Sequence, residues 1–357
     1  MLQAMARQLL LRDWHERGAG RGEGGQYPER LCFCLRALIV GRSGVDVLHF
    51  PETGGAGYAN LITCSSVWGC AVCSAKITER RRQEIAQAVE ASGLVPVMVT
   101  MTLQHDSTDP LAGLLAGLLA GYRKFFNGKG WRSLRDGYGI VGRVRSLEVT
   151  HGDQGWHPHV HPLLLLESSP GKDFEVRCLE RWSAAADRAG HYASKYHGLM
   201  VRIGDDAVAD YVAKLGCEGV DVGGWSLSHE LVKSPSKLGR GGGRSMLQLL
   251  ADYAIGDDEA GKLWLEFYWT FKGQKHLVWS RGLRAKLGLG VEETDAEVEA
   301  REDELSVILA TLSRHQWQII LATGSRGQLL DVAATGDVAA LWSFLESVGV
   351  HQGEGNA

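Results

Sequence analysis

Apolar and polar positions change period several times along the chain. Leu94-Val-Pro-Val-Met-Val-Thr-Met-Thr-Leu103 is mostly apolar, the pattern of a central strand. Before it, Lys76 to Val89 is charged and amphipathic, which predicts a helix. After it, Asp109 is placed to cap a helix through Phe126, whose apolar residues recur at three and four. Gly139 to Thr150 reads as a second strand, and Gly152-Asp-Gln-Gly155 turns it back into His157–Glu167 as an antiparallel hairpin. Asp173 opens a helix to about Ala189, and His197–Ile203 reads as another strand. Asp205 or Asp206 caps a helix from Ala207 to Leu215 that stops at Gly216. Toward the N-terminus, alternation from Leu31 to Phe50 predicts a hairpin turning at Gly41–Gly44. Residues 246–290 carry helical patterns, and 291–350 a small helical appendix.

Composition narrows the class. A chain of 357 residues with 45% hydrophobic and 22% charged residues is an ordinary globular protein with length for a sizeable core. The apolar stretches Leu94–Leu103 and Pro110–Tyr122 fall short of the roughly 20 residues of a membrane span. Met1–Arg12 has no secretory pattern, so a cytoplasmic protein without a membrane partner is expected. From residue 291 onward, twelve acidic residues face three basic ones, whereas the first 290 residues carry 35 basic against 30 acidic. A mildly basic body suits a polyanionic partner. Its basic residues gather in a Gly-rich segment, where Lys233, Lys237, Arg240 and Arg244 stand without an acid between Leu231 and Leu250. The glycines there permit close approach of a phosphate backbone. The aromatic cluster Trp264, Phe267, Tyr268, Trp269 and Phe271 reads as core packing, with one ring possible as a base-facing surface.

Three constellations carry chemistry. Five of seven cysteines lie in the first 73 residues, and cytosolic cysteines clustered in this way point to a metal rather than to disulfides. Cys70 and Cys73 have the spacing to chelate one ion, Cys64 precedes them, and Cys32 or Cys34 can complete a tetrahedral zinc site. Cys178 and Cys217 stand apart as buried thiols. In Trp156-His-Pro-His-Val-His-Pro162, residues two apart on a strand share a face, so His159 and His161 can bind one ligand. The hairpin brings Glu148 beside them, and two imidazoles with one carboxylate leave open positions on a divalent ion. His157 is a lesser candidate. Tyr211 and Lys214 share a helix face at i and i+3, so an ammonium can lower the cost of a tyrosine nucleophile. Tyr192 and Tyr196 form a rival pair around Lys195. Metal site, tyrosine and cationic loop together describe phosphodiester chemistry.

These residues resemble the rolling-circle replication initiators of plasmids, in the HUH endonuclease group, and most of all actinobacterial Rep proteins. The resemblance rests on Cys34-Leu-Arg with Cys64-Ser-Ser-Val-Trp-Gly-Cys-Ala-Val-Cys73, on Val97-Met-Val-Thr-Met-Thr102, on Glu148 through His161, and on Tyr211-Val-Ala-Lys214. It continues through Lys237–Leu250 and Trp279–Arg284, covering about residues 31–290. It implies an α+β fold with a central antiparallel sheet flanked by helices, ferredoxin-like in layout, an N-terminal zinc-binding module and a helical C-terminal region. The implied organisation is an irregular lead-in (1–30), a Cys-rich zinc-binding module (31–93), a nicking domain (94–220), a basic DNA-contacting segment with helices (221–290) and an acidic helical appendix (291–357). It also implies Cys34 as the fourth zinc ligand and Mg²⁺ or Mn²⁺ at the histidines. The implied activity is metal-dependent nicking of one strand at the plasmid's double-strand origin through Tyr211. This leaves a 5′-phosphotyrosine and a 3′-hydroxyl primer, with religation at termination and with a host helicase and DNA polymerase as partners. A single-strand transposase, a mobilisation relaxase or a non-catalytic zinc-containing DNA-binding protein share parts of the pattern. Two departures are Ala71, where many relatives have proline, and Pro162, which removes a ladder donor and argues for an edge or a bend.

Overall fold

The computed structural model describes residues 1–17, 28–204, 243–300 and 305–352. Two antiparallel sheets organise it. The larger has five strands, β3 (Val95–Met101), β4 (Ile140–Gly152), β5 (Gly155–Leu166), β6 (Leu199–Ile203) and β7 (Leu277–Trp279), in the order β6-β3-β5-β4-β7. The smaller joins β1 (Gly44–Phe50), β2 (Gly55–Ala59) and β8 (Val307–Ser313) in the order β2-β1-β8. This is the expected α+β architecture of antiparallel sheet and flanking helices.

Alternation along β5 decides where each helix goes. Val160, Leu164 and Leu166 point to one face and join the main core with α3 (Leu111–Phe125) and α5 (Phe174–Asp187). Leu163 and Leu165 point to the other, where Ile85, Ala88 and Val89 of α2 (Ala71–Ser92) cover them. His157, His159 and His161 belong to that second face. Between α3 and β4 lies α4 (Gly128–Gly137). After Gly243 come α6 (Met246–Ala254), α7 (Asp258–Phe271), the short α8 (Leu283–Lys286) and α9 (Asp295–Ala300). On α7, Trp264, Phe267, Tyr268 and Phe271 are buried, so these rings are core packing.

Four local expectations are corrected. Residues 1–30 are not wholly irregular, because Leu2–Glu16 forms α1, whose Leu2, Ala6, Leu9 and Leu10 make a buried helical stripe. The first hairpin is β1–β2, turning between Phe50 and Gly55 rather than at Gly41–Gly44. The alternation at Leu31–Ile39 comes instead from a 3₁₀ turn (Arg30–Phe33) and from Leu35 at φ +51°, which bend the chain inward. Pro110, not Asp109, stands before α3, and the Asp109 carboxylate accepts from the Asp106 N–H at 2.9 Å. Pro162 lies on the middle strand of the sheet, not on an edge. Its pairing to β4, opposite Arg145, is intact. On the β3 side the register runs from Val95–Met98 against Leu166–Leu163 and resumes at Met101 against Val160, so the proline's missing donor is absorbed there.

The C-terminal region is also more than helical. β8 pairs with β1, and α10 (Arg314–Thr323), α11 (Arg326–Ala333) and α12 (Val338–Ser347) close a second core around Val45, Val47, Leu312, Trp317, Leu329 and Leu341. No helix among the described residues is long and apolar enough to cross a membrane.

Candidate metal centres

The cysteine centre is assembled from three stretches of chain. Leu35 N–H donates to the Ile62 carbonyl at 2.7 Å, and Ile62 N–H to the Ala37 carbonyl at 2.8 Å. This short antiparallel ladder carries Cys34 beside Cys64. Cys70 is the N-cap of α2 and Cys73 lies in its first turn, at i and i+3, where the helix dipole favours thiolates. Their sulfurs stand at tetrahedral spacing: Cys34–Cys70 3.8 Å, Cys34–Cys73 3.6 Å and Cys64–Cys73 3.6 Å. Four sulfurs bound at about 2.3 Å to a tetrahedral ion lie about 3.8 Å apart, so the donors fit zinc and leave no fifth place.

Polar groups around the cluster suit its charge. Gln3 Nε2 donates to the Cys34 carbonyl at 3.3 Å and to Cys70 Sγ at 3.6 Å. Arg326 of α11 donates to the Leu35 carbonyl at 2.7 Å and to Gln3 at 3.1 Å. Hydrogen bonds from Cys34, Cys64 and Cys73 hold the Cys70 thiol well below its ordinary pKa. Cys32 is buried but outside the four, and burial raises its pKa to about 11. Cys178 is an inert core thiol, pushed up to about 12 by burial.

The histidine centre comes from one hairpin. The register sets Glu148 directly opposite His159, Ser146 opposite His161 and Thr150 opposite His157. Ligand atoms of Glu148, His159 and His161 all lie within 4.8 Å of one another. His161 is fully buried, and its Nε2 stands 2.7 Å from Glu148 Oε2, while Nδ1 stands 3.0 Å from Thr100 Oγ1. If Nδ1–H donates to the threonine, Nε2 presents a lone pair toward the carboxylate, and a cation between them satisfies both. The donors therefore fit a hard divalent ion with open positions.

The hairpin is aimed by its surroundings. Gly155 has φ +80°, and a Cβ there would meet Ser107 Cα at 2.9 Å, so only glycine lets the turn pack on the loop after β3. Trp156 Nε1 donates to Glu266 Oε2 at 2.9 Å, while Glu266 Oε1 accepts from the Leu111 N–H at 2.9 Å, tying β5, α3 and α7 together. The loop after β3 also supplies His105, which hydrogen-bonds His157 through its Nε2. Burial, then the neighbouring His105, pushes the His157 pKa below its ordinary value. His157 packs edge-on to His159, with ring centres 4.3 Å apart. Periodicity could not reveal His105, because it sits in a loop and meets the row only through folding.

Tyr211, Lys214, Lys233, Lys237 and Arg240, the helix over 207–215 and Cys217 lie outside the described residues. Arg244 is described: its backbone pairs both ways with His151 on β4, at 2.9 and 2.7 Å. Its guanidinium lies 3.2 Å from Asp257 and 3.5 Å from Asp252, so its charge is already matched. Tyr192 and Tyr196 are exposed in an irregular turn before β6, not on a helix, so their spacing does not align them on one face.

The chain is 28% identical to a curated protein named "Protein rep" from Streptomyces lividans over 338 residues, covering 75% of this chain and 71% of that one. It is 28% identical to a "Protein rep" from Bacillus amyloliquefaciens over 146 residues, 39% of each chain. The resemblance to Rep proteins seen in the motifs is borne out by these relatives. No family model and no solved structure matches the chain.

Proposed function

We propose that this chain is a plasmid rolling-circle replication initiator of the HUH type. It nicks one strand at the double-strand origin in the cytoplasm, and a host helicase and DNA polymerase extend from the nick. What carries the reading is the convergence of Glu148, His159 and His161 on adjacent strands of a rigid sheet, in a chain similar to proteins named Rep. Mg²⁺ or Mn²⁺ bound there supplies Lewis-acid polarisation of a phosphodiester. Thr100 and the Ser146-to-Thr150 strand orient the ligands, and the His105–His157 pair flanks them. Zinc at Cys34, Cys64, Cys70 and Cys73 serves as a cross-link between chain segments.

Tyr211 and Lys214 take their roles from the sequence. The Tyr211 oxygen forms a bond to phosphorus as the bond from phosphorus to the 3′-oxygen breaks; the phenol proton leaves to solvent and the 3′-oxygen takes one up. Lys214 favours the phenolate. Lys233, Lys237, Arg240 and Arg244 hold flanking phosphates, for Arg244 at the cost of its aspartate partners. Gly243 and Arg244, at the end of this run of cations in the sequence, lie against Thr150 and His151, beside the histidine row. The experiment is incubation of the full chain with supercoiled parent plasmid and Mn²⁺. An open circle carrying covalently attached protein is expected, and Tyr211→Phe should lose the adduct while keeping DNA binding. An adduct that persists in Tyr211→Phe and vanishes in Tyr196→Phe would overturn the tyrosine assignment in favour of a transposase.

A further inference from the structure

Away from both metal centres, the surface where α3, α4 and α5 meet gathers charge of one sign. Arg123 to Arg135 contains five cations and no acid. Lys124, Lys129, Arg181 and Arg188 line an open cavity of about 360 Å³ there, together with Asn127, Gly128 and Gly130. No carboxylate lines it. Among the described residues none pairs with Lys124, Lys129 or Arg188.

The cavity is built rather than incidental. Arg181 is half-buried, and its guanidinium is fixed by donating to the Phe125 and Asn127 carbonyls, each at 2.7 Å. A side chain at position 130 would collide with the Arg181 Nη1, so Gly130 makes the space this arginine occupies. Burial, then the neighbouring Arg188, lowers the Arg181 pKa, as expected where like charges gather without a counter-ion. Such repulsion disfavours the fold unless an anion relieves it.

We propose that this cavity binds backbone phosphates of duplex DNA, on the face of the sheet opposite Glu148, His159 and His161. The placement follows from α3 and α5 packing on Val160 and Leu164, whose side chains alternate with the histidines. The ligand class follows from the lining: four cations complement phosphate, and no aromatic ring is present to stack an unpaired base. The cavity is open, which suits a passing backbone rather than an enclosed nucleotide. In this arrangement the protein holds flanking duplex on one face while the nick site is handled on the other. The choice of DNA rests on the function proposed above, but the binding does not require cleavage.

The test uses the full chain without divalent ions, a duplex of about 30 base pairs of unrelated sequence, and anisotropy titrations across a salt series. Lys124, Lys129 and Arg188 are exposed, so the triple alanine variant should fold, which circular dichroism checks; Lys129→Glu alone is measured as well. The triple variant should bind about tenfold or more weakly at moderate salt, with a log–log salt slope shallower by about 2 to 3. Lys129→Glu should weaken binding in the same direction. Unchanged affinity and slope in both variants overturn the proposal. Inorganic phosphate at matched ionic strength is the second arm. No competition beyond that of chloride is expected, whereas phosphate binding lost in the triple variant with DNA binding unchanged would mark a free-phosphate site and also overturn it. Loss of nicking in Tyr211→Phe bears on neither result.

Discussion

The two candidate metal centres of this chain are built in opposite ways. Cys34, Cys64, Cys70 and Cys73 are drawn from a bent segment, a loop and a helix start, and four donors would enclose an ion. Glu148, His159 and His161 lie within one hairpin, and three donors leave positions open. In the first, an ion would join segments distant in sequence, within a buried part of the main core, and so would contribute to stability. In the second, the sheet is complete without the ion: β5 is flanked on both sides and Leu163–Leu166 are fully buried. A closed centre holds the protein together, while an open centre borrows rigidity the protein already has.

Four experiments break or sharpen that contrast, beginning with the largest effect. Cys73→Ser should remove the bound zinc and lower the thermal midpoint by about 10 °C or more, read by elemental analysis and calorimetry. A variant that keeps its midpoint would deny the cysteine centre its structural role. His159→Ala should show the reverse, with strand cleavage reduced about a thousandfold and stability changed by about 1 kcal/mol or less. A large loss of stability there would erase the distinction between the centres.

The third experiment concerns pH. His276 lies against Trp68, two residues before Cys70, with ring centres 5.0 Å apart. It is buried, its Nδ1 has no hydrogen-bond partner, and burial, then Arg145 and Arg81, lowers its pKa to about 4. The unfolded chain therefore binds a proton on this residue between about pH 6.5 and 4 while the folded chain does not. Its contribution is complete above pH 6.5 and is lost as pH falls toward 4, amounting to about 3 kcal/mol at most. Denaturant titrations of His276→Gln should lack this part of the acid sensitivity, and an unchanged pH profile would refute it. The smallest effect is expected from Thr100→Val, which removes the partner of His161 Nδ1 while preserving shape. Divalent-ion affinity should fall about tenfold, measured by titration calorimetry, with zinc content unchanged.

The histidine centre was readable from the chain because all its parts are local. Alternation aligned His159 with His161, and the two-residue turn after Gly152 set Glu148 opposite. Much of the large sheet was readable for the same reason, since β3, β4 and β5 each declare themselves by pattern. Other features were not. Pro162 suggested an edge because its missing donor is a local fact, whereas the strand that tolerates the gap, β3, is distant in sequence. His105 joins the row only because the turn at Gly155 packs on its loop. α1 was masked by the Gly- and Arg-rich stretch that follows it, although its leucines were correctly spaced. Arg244 looked like any cation of its loop until folding set it between Asp252 and Asp257.

Sequence by itself determined which side chains share a strand face or a helix turn, because periods of 2 and 3.6 are properties of the local backbone. It thereby determined the histidine pair, its carboxylate and the Cys70–Cys73 chelate. Only tertiary structure decided that Cys34 rather than Cys32 faces that chelate, that β8 closes a sheet begun more than 250 residues earlier, and that Lys124, Lys129, Arg181 and Arg188 surround one cavity. Those outcomes depend on which distant surfaces bury each other, and burial is a property of the assembled core that no local period encodes.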